Sequence, residues 1–178
     1  YFRYETHLAA VEALAVHDEV VRSFAEIFGR TYEAVEGYRM DDSEYAFVMV
    51  GSFATKAKDA VDQLRAAGWR IGLLRPRVLR PFPEDPIVEA LAGKKGVAVI
   101  DQNISMGKGG VLHTELASIL YGKQDGQPVL VSFMGGLGGR DISPEEFFEM
   151  ASVTKRAADS RKIPPPRLLY TETELREV

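Results

Sequence analysis

Gly96-Val97-Ala98-Val99-Ile100-Asp101-Gln102-Asn103-Ile104-Ser105-Met106-Gly107-Lys108-Gly109-Gly110 is the stretch whose reading decides the fold. Residues 96–100 form an unbroken apolar run closed by Asp101. A run without polar alternation reads as a strand covered on both faces. The glycine-rich loop then leads into a helical pattern over residues 111–121. A strand followed by a loop and a helix is one turn of an α/β winding, whose sheet is parallel and flanked by helices.

The same alternation extends in both directions. Residues 45–50 form an earlier apolar strand ending at Gly51, and residues 54–67 continue with helical spacing up to Gly68. Residues 70–74 are the next strand candidate, after which Pro81, Pro83 and Pro86 interrupt the chain before a short helix over 87–91. A fourth strand over 128–134 precedes the loop 135–141 and a helix opening at Ser143 and Pro144. Ser143-Pro144-Glu145-Glu146 carries three start signals: a capping hydroxyl, proline at the first helical position, and glutamate three residues past the cap. Right-handed crossovers between such strands give an α/β fold with a doubly wound, mostly parallel sheet.

The flanks differ from this middle part. Apolar residues recur at helical intervals over 5–28, and residues 32–39 read as a connector. That helix packs either on its own domain or on a neighbouring domain or subunit. Residues 163–178 contain three consecutive prolines and a charged end, the mark of an extended arm lying on a partner or disordered. The chain thus divides into a helical extension and connector over 1–40, an α/β domain over 41–160 and an arm over 161–178.

Composition removes several function classes. The 178 residues are 46% hydrophobic and 27% charged, which is ordinary globular composition. Their apolar runs are too short to span a bilayer, so no membrane association is expected. No signal-peptide layout opens the chain, which points to a cytoplasmic location. A net charge of −4 argues against nucleic acid as a partner, because phosphates require a basic face. Cysteine is absent, which excludes disulfides and thiolate ligation of iron–sulfur clusters or structural zinc. The three histidines, His7, His17 and His113, show no metal-ligand spacing.

Ligands of such sheets bind beyond the carboxyl ends of the strands. Gly51-Ser52-Phe53-Ala54-Thr55-Lys56 is no Walker loop, and Ser52 reads as a helix cap. The 101–110 loop fails the G-x-G-x-x-G spacing, and Asp101, Asn103 and Ser105 can hydrogen-bond loop backbone. Gly135-Gly136-Leu137-Gly138-Gly139-Arg140-Asp141 has four glycines in five positions, fitting a place where another backbone comes close. Arg140 either clamps a carboxylate or phosphate of a facing subunit or pairs with Asp141 or another local acid. Arg75, Arg77 and Arg80 form a cationic stretch, read as an anion site or as a solvated, partner-facing strand exit. No acid pair, serine–histidine arrangement or metal cluster emerges, so no catalytic residue is assigned.

Five stretches together resemble a known family. Residues 32–39, Gly51-Ser52 after a strand, Leu79-Arg80-Pro81-Phe82-Pro83, Asp101 through Gly107, and Gly136-Leu137-Gly138-Gly139-Arg140-Asp141 look like the α subunit of pyruvate:ferredoxin oxidoreductase. The order and spacing agree over about residues 30–150, and the last motif resembles the pyruvate branch more than the 2-oxoglutarate or branched-chain branches. The resemblance implies a domain of the transketolase C-terminal type, with residues 1–30 as the tail of a preceding domain. It implies a complex that decarboxylates pyruvate on thiamine diphosphate with Mg, forms acetyl-CoA from CoA, and passes electrons through iron–sulfur clusters to ferredoxin. Implied partners are a pyrimidine-binding domain, a pyrophosphate-binding subunit and a ferredoxin-like subunit. The N-terminal half of such a subunit is missing, which fits a C-terminal fragment or a split subunit. Asn103, Ser105, Gly107, Gly136, Gly138, Gly139, Arg140 and Asp141 are the implied interface or active-site wall, and the chain's own role is structural. A flavodoxin-like electron carrier or a free-standing small-anion-binding module has the same alternation and size. The purified chain is expected to show no visible absorbance band from a stoichiometric cofactor and no micromolar thiamine diphosphate binding in calorimetry. A yellow flavin spectrum would instead establish the carrier reading.

Overall fold

In the computed structural model, residues 1–123, 126–170 and 174 are described. Helix α1 (Phe2–Phe28) is followed by β1 (Val35–Tyr38), β2 (Tyr45–Met49), α2 (Phe53–Ala66), β3 (Ile71–Pro76) and α3 (Glu84–Leu91). Then come β4 (Gly96–Asp101), α4 (Val111–Leu120), β5 (Val129–Met134), a 3-10 turn (Leu137–Gly139), α5 (Pro144–Ser160) and β6 (Arg167–Leu168). The sheet order is β1-β3-β2-β4-β5-β6. Pairing is parallel throughout except for β1, which runs antiparallel to β3.

The continuous apolar strands dictate two helical layers. On one face, Phe47, Leu73, Ile100 and Phe133 pack against α2 and α5. Phe47 and Phe147 meet edge to face with ring centroids 5.5 Å apart. On the other face, Val48, Leu74 and Val99 pack against α3 and α4 through Ile87, Leu91 and Leu116. Helix α5 starts as its sequence signals require: the Ser143 hydroxyl accepts from the Glu146 amide, and the Glu146 carboxylate accepts from the Ser143 amide.

Several expectations need correction. Residues 32–39 are not wholly connector, because β1 lies within them as an edge strand. Val-Glu-Gly-Tyr is too short and too mixed to show a period. Gly72 on β3 admits this close approach, since a methyl group there would stand 2.6 Å from the Arg39 carbonyl oxygen. The arm also differs: β6 pairs in parallel with β5, and Leu169 is buried. A methyl group on Gly135 would stand 2.8 Å from the Leu169 side chain, so glycine lets the arm settle onto its own sheet. Residues 171–173 and 175–178 of the expected arm lie outside the described residues. Helix α3 begins before Pro86, taking that proline into its first turn, where a missing amide costs no hydrogen bond.

Helix α1 stands apart from this core. It closes on Gly29 in the left-handed conformation, yet none of its residues is buried. Val16, Val20, Ile27 and Phe28 are all exposed, Ile27 by 73%. Its flank faces the 80–86 turn across a groove of about 500 Å³ lined by Val11, Leu14 and Phe82. Among the described residues, no helix is long and apolar enough to cross a membrane.

Removing residues 1–30 should therefore leave the urea midpoint of the remaining chain nearly unchanged. Leu169→Ala should lower stability by about 2–3 kcal/mol, because it opens a cavity against the sheet. Urea denaturation of both variants checks this. A collapse of cooperative unfolding in the truncated form would make α1 part of the core.

Candidate functional site

Three loops meet where the winding of the sheet reverses. The crossovers from β2 and β4 leave in opposite directions, and the crevice between them is where doubly wound sheets place ligands. Gln102 fills it. A methyl group built on Gly51 would lie 2.9 Å from Gln102 Oε1, and one on Gly136 would lie 3.2 Å from its Nε2 and 3.3 Å from the Phe53 ring. Both glycines thus make room for the same half-buried amide. Among the described residues that amide makes no side-chain hydrogen bond, and its Oε1 lies toward Gly51 and its Nε2 toward Gly136. Residue typing did not single out Gln102. Its place directly after the central strand β4 was the available signal.

Asp101 shapes the loop that carries Gln102. Its side chain is buried, and Oδ1 accepts from the Leu112 amide at 2.7 Å while Oδ2 accepts from His113 N–H at 3.2 Å. These are orphan donors of the first turn of α4. Burial pushes the Asp101 carboxyl above its ordinary value, against the opposing pull of the Leu112 and His113 amides. Burial likewise lowers the His113 imidazole, with Asp101 acting the other way. Gly110 is required by contact rather than by conformation. Its φ is −77°, but a methyl group there would lie 1.8 Å from Asp101 Oδ2.

The remaining predicted residues of this loop build it from within. Asn103 Oδ1 accepts from the Val111 amide at 3.1 Å. Ser105 pairs with Gly109 through backbone, its amide donating to the Gly109 carbonyl at 2.7 Å. Gly107 lies at the exposed turn, and neighbouring Met106 is 86% exposed. Ser52 stands at the cap position of α2 but makes no side-chain capping bond, because its backbone is already helical.

In the third loop, Gly136, Gly138 and Gly139 adopt left-handed φ. Among the described residues nothing lies within 4 Å of where a Gly138 or Gly139 side chain would be, so this backbone is left uncovered by them. Arg140 is not free to reach outward. Its Nε donates to Glu174 at 2.8 Å, its Nη1 to Glu146 at 2.9 Å and to the Asp141 carbonyl at 2.9 Å, and it lies over the Tyr170 ring. Glu174 foremost, with Glu146, holds the guanidinium in its charged form against partial burial. Asp141 does not neutralise it; that carboxylate pairs with Lys56, which lowers its pKa, and also accepts from Ile142 N–H. The local-acid alternative for Arg140 therefore holds within this chain, with Glu146 and Glu174 as the acids.

The fold and crevice define a doubly wound α/β domain of the transketolase C-terminal kind. A 2-oxoglutarate:ferredoxin oxidoreductase from Magnetococcus marinus, solved with 2-oxoglutarate, coenzyme A and succinyl-CoA bound, superimposes with a TM-score of 0.51 at 19% identity. It covers 73% of this chain and 20% of its own. A split-gene transketolase, in an inactive β4 tetramer, superimposes at 0.53 with 16% identity, over 70% of this chain and 43% of that one. Residues 43–147 match pyruvate:ferredoxin oxidoreductase core domain II, so the chain belongs to the pyruvate:ferredoxin oxidoreductase family.

Curated relatives agree. Pyruvate synthase subunit PorA of Thermotoga maritima is 40% identical over 150 residues, covering 83% of this chain and 38% of the relative. PorA of Methanothermobacter thermautotrophicus is 38% identical over 153 residues, 86% of this chain and 39% of the relative. Ketoisovalerate oxidoreductase subunit VorA of Pyrococcus abyssi is 37% identical over 163 residues, 91% of this chain and 41% of the relative. The chain spans about two-fifths of the length of these relatives. The flavin-carrier reading receives no support from them.

Asp101→Ala should cost about 2–3 kcal/mol in urea denaturation, the sum of a lost cap and buried donors left without an acceptor. The sign of the pH dependence follows from its raised folded pKa. The folded state holds the Asp101 proton more tightly than the unfolded chain, so stability falls as pH rises from the ordinary carboxylate value through the folded value. Wild type should lose stability relative to Asp101→Asn across that window, read from paired melts at stepped pH.

Proposed function

We propose that this chain is the C-terminal part of an α-type subunit of a 2-oxoacid:ferredoxin oxidoreductase, with pyruvate as the oxoacid. The assembled enzyme would convert pyruvate and CoA to acetyl-CoA and CO₂, with two electrons passing to ferredoxin. Alignment of pyruvate synthase subunits with more than four-fifths of the chain, at 38–40% identity, carries this reading. Both pyruvate and ketoisovalerate enzymes appear among the relatives at similar identity, so the preference for pyruvate rests on Gly136 through Asp141.

The chemistry would lie outside this chain. Iron–sulfur clusters need thiolates, and the chain has none. Among the described residues no group of three His, Asp or Glu side chains could hold Mg. The residues present therefore do not fit these groups, and thiamine diphosphate would sit between a pyrimidine-binding domain and a pyrophosphate-binding subunit. A ferredoxin-like subunit and ferredoxin would complete the electron path, in the cytoplasm. Residues 1–30 would belong with the preceding domain, and exposed apolar residues on α1 support that division. The open backbone of Gly138 and Gly139 and the exposed side chains of Ile104 and Met106 support an interface or active-site wall at the carboxyl end.

The test is to recover the native complex through a tag on this chain and assay viologen reduction with pyruvate, 3-methyl-2-oxobutanoate and 2-oxoglutarate, each with and without CoA. CoA-dependent reduction with pyruvate is the expected result, and no reduction with any oxoacid would sink the proposal. Gly138→Val is expected to weaken assembly while costing the isolated chain only about 1–2 kcal/mol of left-handed backbone strain. Equal recovery of partner subunits with this variant would remove the interface role.

A further inference from the structure

The outer edge of the sheet carries a charge excess that the chain leaves unbalanced. Glu36 on β1 stands opposite Arg75 across the β1–β3 ladder. Lys58, from the second turn of α2, pairs with Glu36 Oε1. Arg77, just beyond β3, donates from Nη2 to Oε2 at 2.8 Å, and Arg75 Nη1 lies 3.6 Å from that same oxygen. The Tyr32 ring backs Arg77 at 5.1 Å and the Tyr38 ring backs Lys58 at 5.2 Å. Three cations thus share one carboxylate.

Among the described residues, no carboxylate other than Glu36 forms a salt bridge with these three cations. Asp62 accepts the Tyr38 hydroxyl at 2.7 Å, but Arg39 at 3.4 Å matches its charge. Burial pushes the Glu36 carboxyl up, while Lys58, Arg77 and Arg75 more than reverse that, so it is ionised and both its oxygens are engaged. Among the described residues, Arg75 has no hydrogen-bond acceptor at all. Yet its side chain is only 27% exposed, and those of Arg77 and Lys58 are 24% and 28% exposed. Half-buried like charges repel unless a counter-charge joins them.

We infer that Arg75, Arg77 and Lys58 form a binding site for a tetrahedral phosphate dianion, free or as a monoester, with Glu36 fixing their spacing. The excess of two positive charges matches a phosphate, which carries about −1.5 to −2 at neutral pH. A carboxylate would leave one charge over. Guanidinium forks suit phosphate oxygens, and Arg75 brings unused donors. The cluster lies at the carboxyl end of β3, the same end as the Gln102 crevice, although the site does not depend on the oxidoreductase reading.

Calorimetric titration of the 178-residue chain at constant ionic strength tests this, with inorganic phosphate and AMP as separate arms. Saturable binding is expected with a Kd on the order of 1 mM. Tighter binding of AMP assigns the site to a monoester, and tighter binding of phosphate assigns it to the free ion. Arg75→Gln should weaken binding about tenfold, as loss of one charge-assisted contact does. It should leave the melting temperature without phosphate nearly unchanged, since Arg75 loses only a 3.6 Å ion pair with Glu36 and no hydrogen bond. Arg80→Gln, from the same cationic stretch but paired with Glu115 instead, should bind as wild type does. The site is refuted by absent saturation, by equal weakening from Arg80→Gln, or by Arg75→Gln lowering the melting temperature while leaving the Kd unchanged.

Discussion

Asp101 is the only charged side chain fully buried among the described residues, and the carboxyl end of the sheet is organised around it. A buried carboxylate is unfavourable unless donors meet it, and the first turn of α4 provides two backbone amides. Those amides would themselves be orphaned without it. The reciprocal need ties β4 to α4 across the intervening loop. It also forbids a side chain at Gly110, which has to pass against the carboxylate. The loop is pinned at both ends, and Gln102 is held between Gly51 and Gly136. Loss of the carboxylate would release the helix start, the loop and the crevice residue together.

The central strands were legible because burial on both faces leaves no choice of residue. Runs such as Phe47-Val48-Met49 and Val97-Ala98-Val99-Ile100 admit no polar alternation, and the structure buries each of these residues. The start of α5 was legible because its signal is local: hydroxyl, proline and glutamate lie within four residues. Strands β1 and β6 were not legible. They are short edge strands, and their pairing partners are set by tertiary approach over Gly72 and Gly135 rather than by their own sequence. Ser52 misleads for a related reason: residue type proposes a cap, but the backbone decides whether the hydroxyl can turn back.

The site shows the same division. The three loops were located correctly from strand ends and glycines, since those follow from winding. Their side-chain partners depend on distances that sequence spacing does not carry. Arg140 and Asp141 are neighbours in sequence, yet Arg140 binds Glu146 and Glu174 while Asp141 binds Lys56 on α2. The swap has a consequence for the loop. Both ties lie at the C-terminal end of the glycine segment, Arg140 reaching Glu146 on α5 and Asp141 reaching Lys56 on α2, so that end is fixed between two helices while the glycine backbone stays bare. A bare but fixed backbone suits a surface that another molecule must approach closely.

The exposed features of the chain have one physical origin. The sheet, with helices on both faces, buries its central strands β2 and β4 throughout, so what stays exposed and apolar on α1 is not core surplus. Val16, Val20 and Ile27 sit on a helix that contributes nothing to that core, and Met106 sits at the tip of a loop whose base is rigid. Folding stability explains neither position, because moving these side chains out of water would require a surface the described residues lack. Apolar area left in water is unfavourable in proportion to its size. The chain spans about two-fifths of the length of such relatives, and under the proposed function a cover from beyond it would account for α1 and the 102–110 tip together.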